Sequence, residues 1–182
     1  MNAILKTIGN EIEKCLCLEG EAATVSRVKL EVESCSSIHF ACHASQNIDN
    51  PLKSGFDLHD GRLELAEIMK LKIVHSEFAF LSACQTSAGD EKLSEEAVHL
   101  AAGMLAVGYR GVVATMWSIK DEYGPVVAEG FYKYLMERRV DAGLSTVGAA
   151  RGLHHTIRSI RETLGDTEHG LLTWVPYVHF GY

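Results

Sequence analysis

"EFAFLSAC", residues 77–84, is apolar at nearly every position and does not alternate between apolar and polar. A strand with one solvated face alternates, so an unbroken run of this length predicts a strand covered on both faces. It leads into "QTSAGDEKL", a polar, small-residue loop. Beyond that, Ser94 followed by Glu95 and Glu96 predicts a capped helix start, with acids at the positive end of the dipole. That helix ends at Gly108, and "GVVATMW" predicts another buried strand. "DEYGPVVAEGFYKYLMERR" predicts a helix with acids at its start and Arg138 and Arg139 at its end. A further helix is expected over residues 142–163, and "YVHFGY" closes the chain as a short strand.

Upstream, "SIHFACH" predicts a short buried strand ending at His43. Residues 22–32 predict a helix with Val25, Val28 and Leu30 inward, and residues 3–16 a short amphipathic one. "NIDNPLKSG" is a loop by its Asn, Asp, Pro, Ser and Gly. "GFDLHDGRLEL" carries Asp60-Gly61 between alternating residues, a hairpin signal, and "ELAEIMKLK" is helical. Apolar strands alternating with helices predict an α/β fold, a mostly parallel sheet with helices on both faces. Residues 1–20 are expected to form an N-terminal helical extension and residues 21–182 the folded domain.

Acidic residues outnumber basic ones 24 to 17, for a net charge of −7. Nucleic-acid binding rests on cations meeting phosphates, and anionic lipid recruits basic patches, so neither partner is expected. No apolar run reaches the roughly 20 residues of a membrane span. Five cysteines, an odd number without finger spacing, predict no disulfide framework and an intracellular, cytoplasmic setting.

Sites in such sheets gather at the carboxyl ends of strands. Two reactive residues are expected there: His43 after "SIHFAC" and Cys84 after "EFAFLSA". On one continuous strand His39 and His43 stand roughly 13 Å apart on one face, with Cys42 on the other, so the stretch holds no metal by itself. If the two strands are neighbours, an imidazole meets a thiol. The histidine can then stabilise a thiolate and later protonate a leaving amine. Ser87, Ala88 and Gly89 leave main-chain N–H groups free near a developing oxyanion. Pattern alone equally allows Cys84 as a small buried hydrophobe and His43 as a hydrogen-bonding strand end. His154 and His155 read as surface or packing residues, Cys35 and Cys42 as core filler. G-x-S-x-G, P-loop and G-x-G-x-x-G motifs are absent from the chain.

"HFACHA", "LSACQTSAG", "GYRGVVATMWSIKDE" and "WVPYVHFGY" come in an order that resembles the CHAT domain, a caspase-like peptidase family often attached to tetratricopeptide repeats. The resemblance runs from about residue 22 to the end. It implies a caspase-like three-layer sandwich and a Cys-His dyad of Cys84 and His43. Peptide bonds would be cut through a thioester, without metal or cofactor. Main-chain N–H groups of Ala44 and Cys84 would bind the oxyanion. It also implies a protein or peptide substrate and a regulatory domain or partner chain, such as tetratricopeptide repeats. Family members commonly carry glycine where Ala44 stands, and their domains usually begin with at least one more strand; a domain lacking its N-terminal strands is therefore expected. Asp121 in "MWSIKDEY" matches the segment that shapes the pocket for the residue before the cut. It is the candidate for reading Arg or Lys, though an acid there also suits a helix start. The alternative to an enzyme is an inactive caspase-like scaffold that binds partners.

Overall fold

The computed structural model describes residues 15–45, 47, 49–73, 76–82, 84–85, 96–117, 119, 122–138 and 146–181, with main chain alone at 84, 85, 96–98, 146 and 147. The helix expected at residues 3–16 lies outside the described residues up to position 14, and residues 15–19 have no regular structure. The cap at Ser94 and the loop residues Ser87, Ala88 and Gly89 also lie outside them.

Helix α1 (Val25–Ser34) starts at Thr24, whose hydroxyl accepts from the Arg27 N–H at 3.3 Å. Val28 and Val32, one turn apart, enter the core, and Val25 packs beside them. Leu30 does not: it is 58% exposed. Two residues beyond Val28 on a 3.6-residue turn is the far side of the helix, so the inward reading of Leu30 fails on geometry.

The central sheet has the order β1-β5-β7-β8, built from β1 (Ser37–Phe40), β5 (Phe78–Leu81), β7 (Gly111–Thr115) and β8 (Tyr177–Gly181). The first two pairings are parallel, and β8 runs antiparallel to β7. Every residue of β5 and β7 is buried. Ala79, Leu81, Val112 and Ala114 join one core with α1 and α3 (Glu96–Ala106). Phe78, Phe80 and Val113 join the other with α4 (Tyr123–Glu137) and α5 (Thr146–Leu164). This is the α/β sandwich of a caspase-like fold, and its double cover is why "FAFL" does not alternate.

A second sheet, of order β4-β3-β2-β6, corrects the reading of "SIHFACH" and "EFAFLSAC" as single strands. The first strands stop at Phe40 and Leu81; β2 (His43–Ser45) and β6 (Cys84–Gln85) belong to the new sheet. The cause lies in the partners. On its other side β2 pairs antiparallel with β3 (Gly55–Leu58), which forms a hairpin with β4 (Gly61–Glu64) through the two-residue turn His59-Asp60. The chain must leave the first sheet to meet that hairpin. Phe40 stacks on Phe56 with ring centroids 4.0 Å apart, pinning one sheet to the other. The Asp60 carboxylate accepts from the Val25 N–H at 2.7 Å, tying the hairpin tip to the start of α1.

Helix α2 (Leu65–Ile68) follows the hairpin, and Pro51–Lys53 makes one 3-10 turn in the expected loop. Helix α6 (Glu168–Trp174), not expected from the sequence, is capped by Thr167, which accepts from the Gly170 N–H at 3.1 Å. Among the described residues no helix is long and apolar enough to cross a membrane.

Candidate active site

Beyond the carboxyl ends of β1 and β5 the parallel pairing breaks and then resumes without slipping. Ser37 pairs with Phe78 and Phe40 with Leu81; His43 then pairs with Cys84 and Ala44 with Gln85. Partners lie 41 positions apart throughout, from 37 and 78 to 43 and 84. His43, exposed, therefore opens β2 rather than closing β1, and Cys84 opens β6 rather than closing β5. Neighbouring strands lie about 4.8 Å apart, so the two main chains stand side by side.

The joint between the sheets is held by His39. Its Nε2 shares a 2.8 Å hydrogen bond with the Ser82 hydroxyl, and the Ser82 N–H donates to the Phe40 carbonyl at 2.9 Å. The His39 ring lies against Phe80 and Tyr132, with centroids 4.7 and 5.7 Å away. Burial there lowers its pKa to about 4, so it is neutral in ordinary buffers. His39 and His43 thus sit in different sheets, not on one face of one strand. Cys42, between them, packs against the core; burial, then the charge of Asp57, pushes its thiol up to about 12. A thiol so hard to ionise is no nucleophile. Cys35 is half-buried, and His154 and His155 are exposed.

Ala44 is a strand residue, 1% exposed, with its methyl in the core. Extended backbone suits alanine as well as glycine, so the alanine puts no strain on β2. Asp121 lies outside the described residues. The helix it precedes begins at Tyr123, with Glu122 at the cap and no side-chain cap bond.

Three residues beside His43 were not singled out in the sequence. Asp57 on β3 is the antiparallel partner of His43. Its Oδ2 accepts from the Ser45 hydroxyl at 2.7 Å, and its Oδ1 from Arg62 Nε at 2.7 Å. Arg62 Nη2 also donates to the Ser45 oxygen at 2.8 Å. Burial pushes the Asp57 carboxyl up, but the bonds from Ser45 and Arg62, the Arg62 charge and His43 outweigh it and bring it below its ordinary value. The available signal was the alternation Phe56-Asp57-Leu58, which puts Asp57 on the hairpin face turned away from Phe56. Among the described residues no group of three or more His, Cys, Asp or Glu could hold a metal ion.

Compared with known protein families, residues 3–182 match the model of the CHAT domain. No curated protein matches the chain.

Proposed function

The chain belongs to the CHAT domain family, and from that membership we propose that it is a cysteine endopeptidase acting through Cys84 and His43. The family is caspase-like and peptidase-related. The observation that carries the reading is the register pairing of His43 with Cys84 just past the carboxyl ends of the central strands.

In this reading the Cys84 thiolate, stabilised by the His43 imidazolium, attacks the scissile carbonyl carbon. The C=O electron pair moves to oxygen, and the N–H groups of Cys84 and Ala44 are the candidate donors to that oxyanion. Collapse breaks the C–N bond, His43 protonates the departing amine, and a thioester remains on Cys84. Neutral His43 then takes a proton from water as the water attacks the thioester. Collapse releases the carboxylic acid and restores the thiolate. Asp121 is the candidate for selecting Arg or Lys before the cut, through a charge-assisted hydrogen bond.

The test is labelling of the full chain with a peptidyl chloromethyl ketone ending in Arg or Lys, followed by tryptic mass spectrometry. Modification confined to Cys84 and lost in a His43→Ala control is the expected result. Labelling spread evenly over Cys15, Cys17 and Cys84, unchanged in the control, would overturn it and leave the partner-binding scaffold as the reading.

A further inference from the structure

Charge is unevenly matched over the surface helices. Among the described residues five arginines pair with carboxylates: Arg27 with Glu31, Arg62 with Asp57, Arg110 with Glu77, Arg158 with Glu162 and Arg161 with Asp166. The two described arginines without an acid partner sit on one helix pair, Arg138 closing α4 and Arg151 within α5. These helices run antiparallel and close: a Cβ at Gly130 would meet Thr156 at 2.8 Å, and one at Gly152 would meet Tyr134 at 3.2 Å. Gly152 thus lets the Tyr134 ring settle between the helices. The Arg138 guanidinium carbon stands over that ring, 4.5 Å from its centre, and the His155 ring lies 5.0 Å from it. Arg151 precedes His155 by one turn on the same flank of α5, and Arg138, Arg151 and His155 are all exposed. We propose that this cluster docks an acidic peptide segment of a partner protein, a role that does not depend on the dyad reading.

Stacking on a ring holds a guanidinium flat without using its N–H donors, so Arg138 keeps the fork that grips a carboxylate in two hydrogen bonds. It also cuts the side-chain freedom lost on binding. His155 adds a ring N–H donor in either charge state. Charge singles out the partner. The chain as a whole carries −7 and repels an acidic segment, so capture has to come from a local cluster whose cations are not already neutralised. Lys133 and Glu137, exposed one turn apart on α4, bring one charge of each sign and leave the balance with the two arginines. A nucleic acid needs a track of cations along its phosphates; two arginines around one ring fit a short carboxylate-bearing segment instead. The cluster also lies away from the candidate dyad. Helix α4 begins past the carboxyl end of β7, the end of the sheet where His43 and Cys84 stand, and Tyr134 comes roughly 16 Å further along its axis. A segment docked there leaves that end of the sheet open.

The experiment is fluorescence anisotropy of the full chain at low salt with a labelled peptide of alternating Glu and Gly, its Gln counterpart, and a uridine oligonucleotide of equal charge. The Glu peptide is expected to bind and the Gln peptide not. Joint Arg138→Gln and Arg151→Gln should weaken binding by about tenfold. Tyr134→Leu removes the stack but keeps both charges, and should cost about threefold. Arg110→Gln, on another face and already paired with Glu77, should change nothing. Failure of the Glu peptide to bind, equal binding of the Gln peptide, undiminished binding to the double variant, or tighter binding of the oligonucleotide would each overturn the proposal. If the double variant does not fold, protection of the parent chain decides: the Glu peptide should shield Arg138 and Arg151 from phenylglyoxal more than Arg110, and equal shielding overturns it. These readouts report binding alone, so their outcome is separate from that of Cys84 labelling.

Discussion

His43 and Cys84 are register partners across β2 and β6, at the same 41-position offset that pairs Ser37 with Phe78 in the central sheet. The second sheet thus resumes the β1–β5 pairing after a break, without a change of register. The site takes its geometry from the most buried part of the molecule, where a one-residue slip would turn the core side chains of β5 to the wrong faces.

His43→Ala should leave the fold intact, because His43 is exposed. In the proposed dyad it removes the group that would stabilise the Cys84 thiolate. A free cysteine of pKa about 8.5 is ionised to well under about 1% at pH 6. Alkylation of Cys84 by iodoacetamide at pH 6 is expected to slow at least ~10-fold. Equal rates in parent and variant would rule out an activated dyad.

Cys42 should resist the same reagent. Burial pushes its thiol up to about 12, so the folded chain at pH 8 offers almost no thiolate there. Peptide mapping is expected to find Cys42 unmodified until denaturant is added. Modification of Cys42 as fast as Cys84 would contradict the burial argument.

Ala44→Gly should not improve the site. The residue is extended, where glycine has no conformational advantage, and its methyl is buried in the core. Stability is expected to fall by about 0.5–1 kcal/mol in urea unfolding. A rise in selective Cys84 labelling would show that this position does need a glycine.

Gly55→Ala should loosen the hairpin. A Cβ at Gly55 would run into the main-chain carbonyl of Leu63 on β4, which cannot move without opening the β3–β4 ladder. The expected cost is about 1–3 kcal/mol, read as a lower urea midpoint. An unchanged midpoint would mean that the hairpin yields freely.

Acid should weaken the joint at His39. Its folded pKa, about 4, lies below the ordinary 6.5 because burial disfavours the charged ring. The unfolded chain therefore binds the proton first. The stability contributed by the neutral ring is complete above pH 6.5 and is lost as the pH falls from there toward 4. Between those limits the slope is about 1.4 kcal/mol per pH unit. His39→Gln, which retains a partner for Ser82, should flatten the pH dependence of the urea midpoint between pH 6 and 5. Identical slopes in parent and variant would place the acid sensitivity elsewhere.

Much of this architecture was legible because it is local. The runs "FAFL" and "GVVAT", the helices after them, the Asp60-Gly61 hairpin signal and the motifs of the CHAT family need no knowledge of distant contacts. His43 and Cys84 could be singled out as strand-end residues for the same reason. The errors came where a second partner intervened. Nothing within "SIHFACHAS" reports that Phe40 must stack on Phe56 while His43 and Ser45 pair with a hairpin further along, so one strand was read where there are two.

The amino-acid sequence alone determined the α/β alternation and the family, and singled out His43 and Cys84 as the candidate pair, since these depend on short-range apolar periodicity and on residue identity. Tertiary structure alone decided that the strands break at Phe40 and Leu81, and that Arg62, Asp57, His43 and Cys84 fall into one row. Those outcomes depend on pairings between distant segments, whose register is selected by which side chains the whole core can bury.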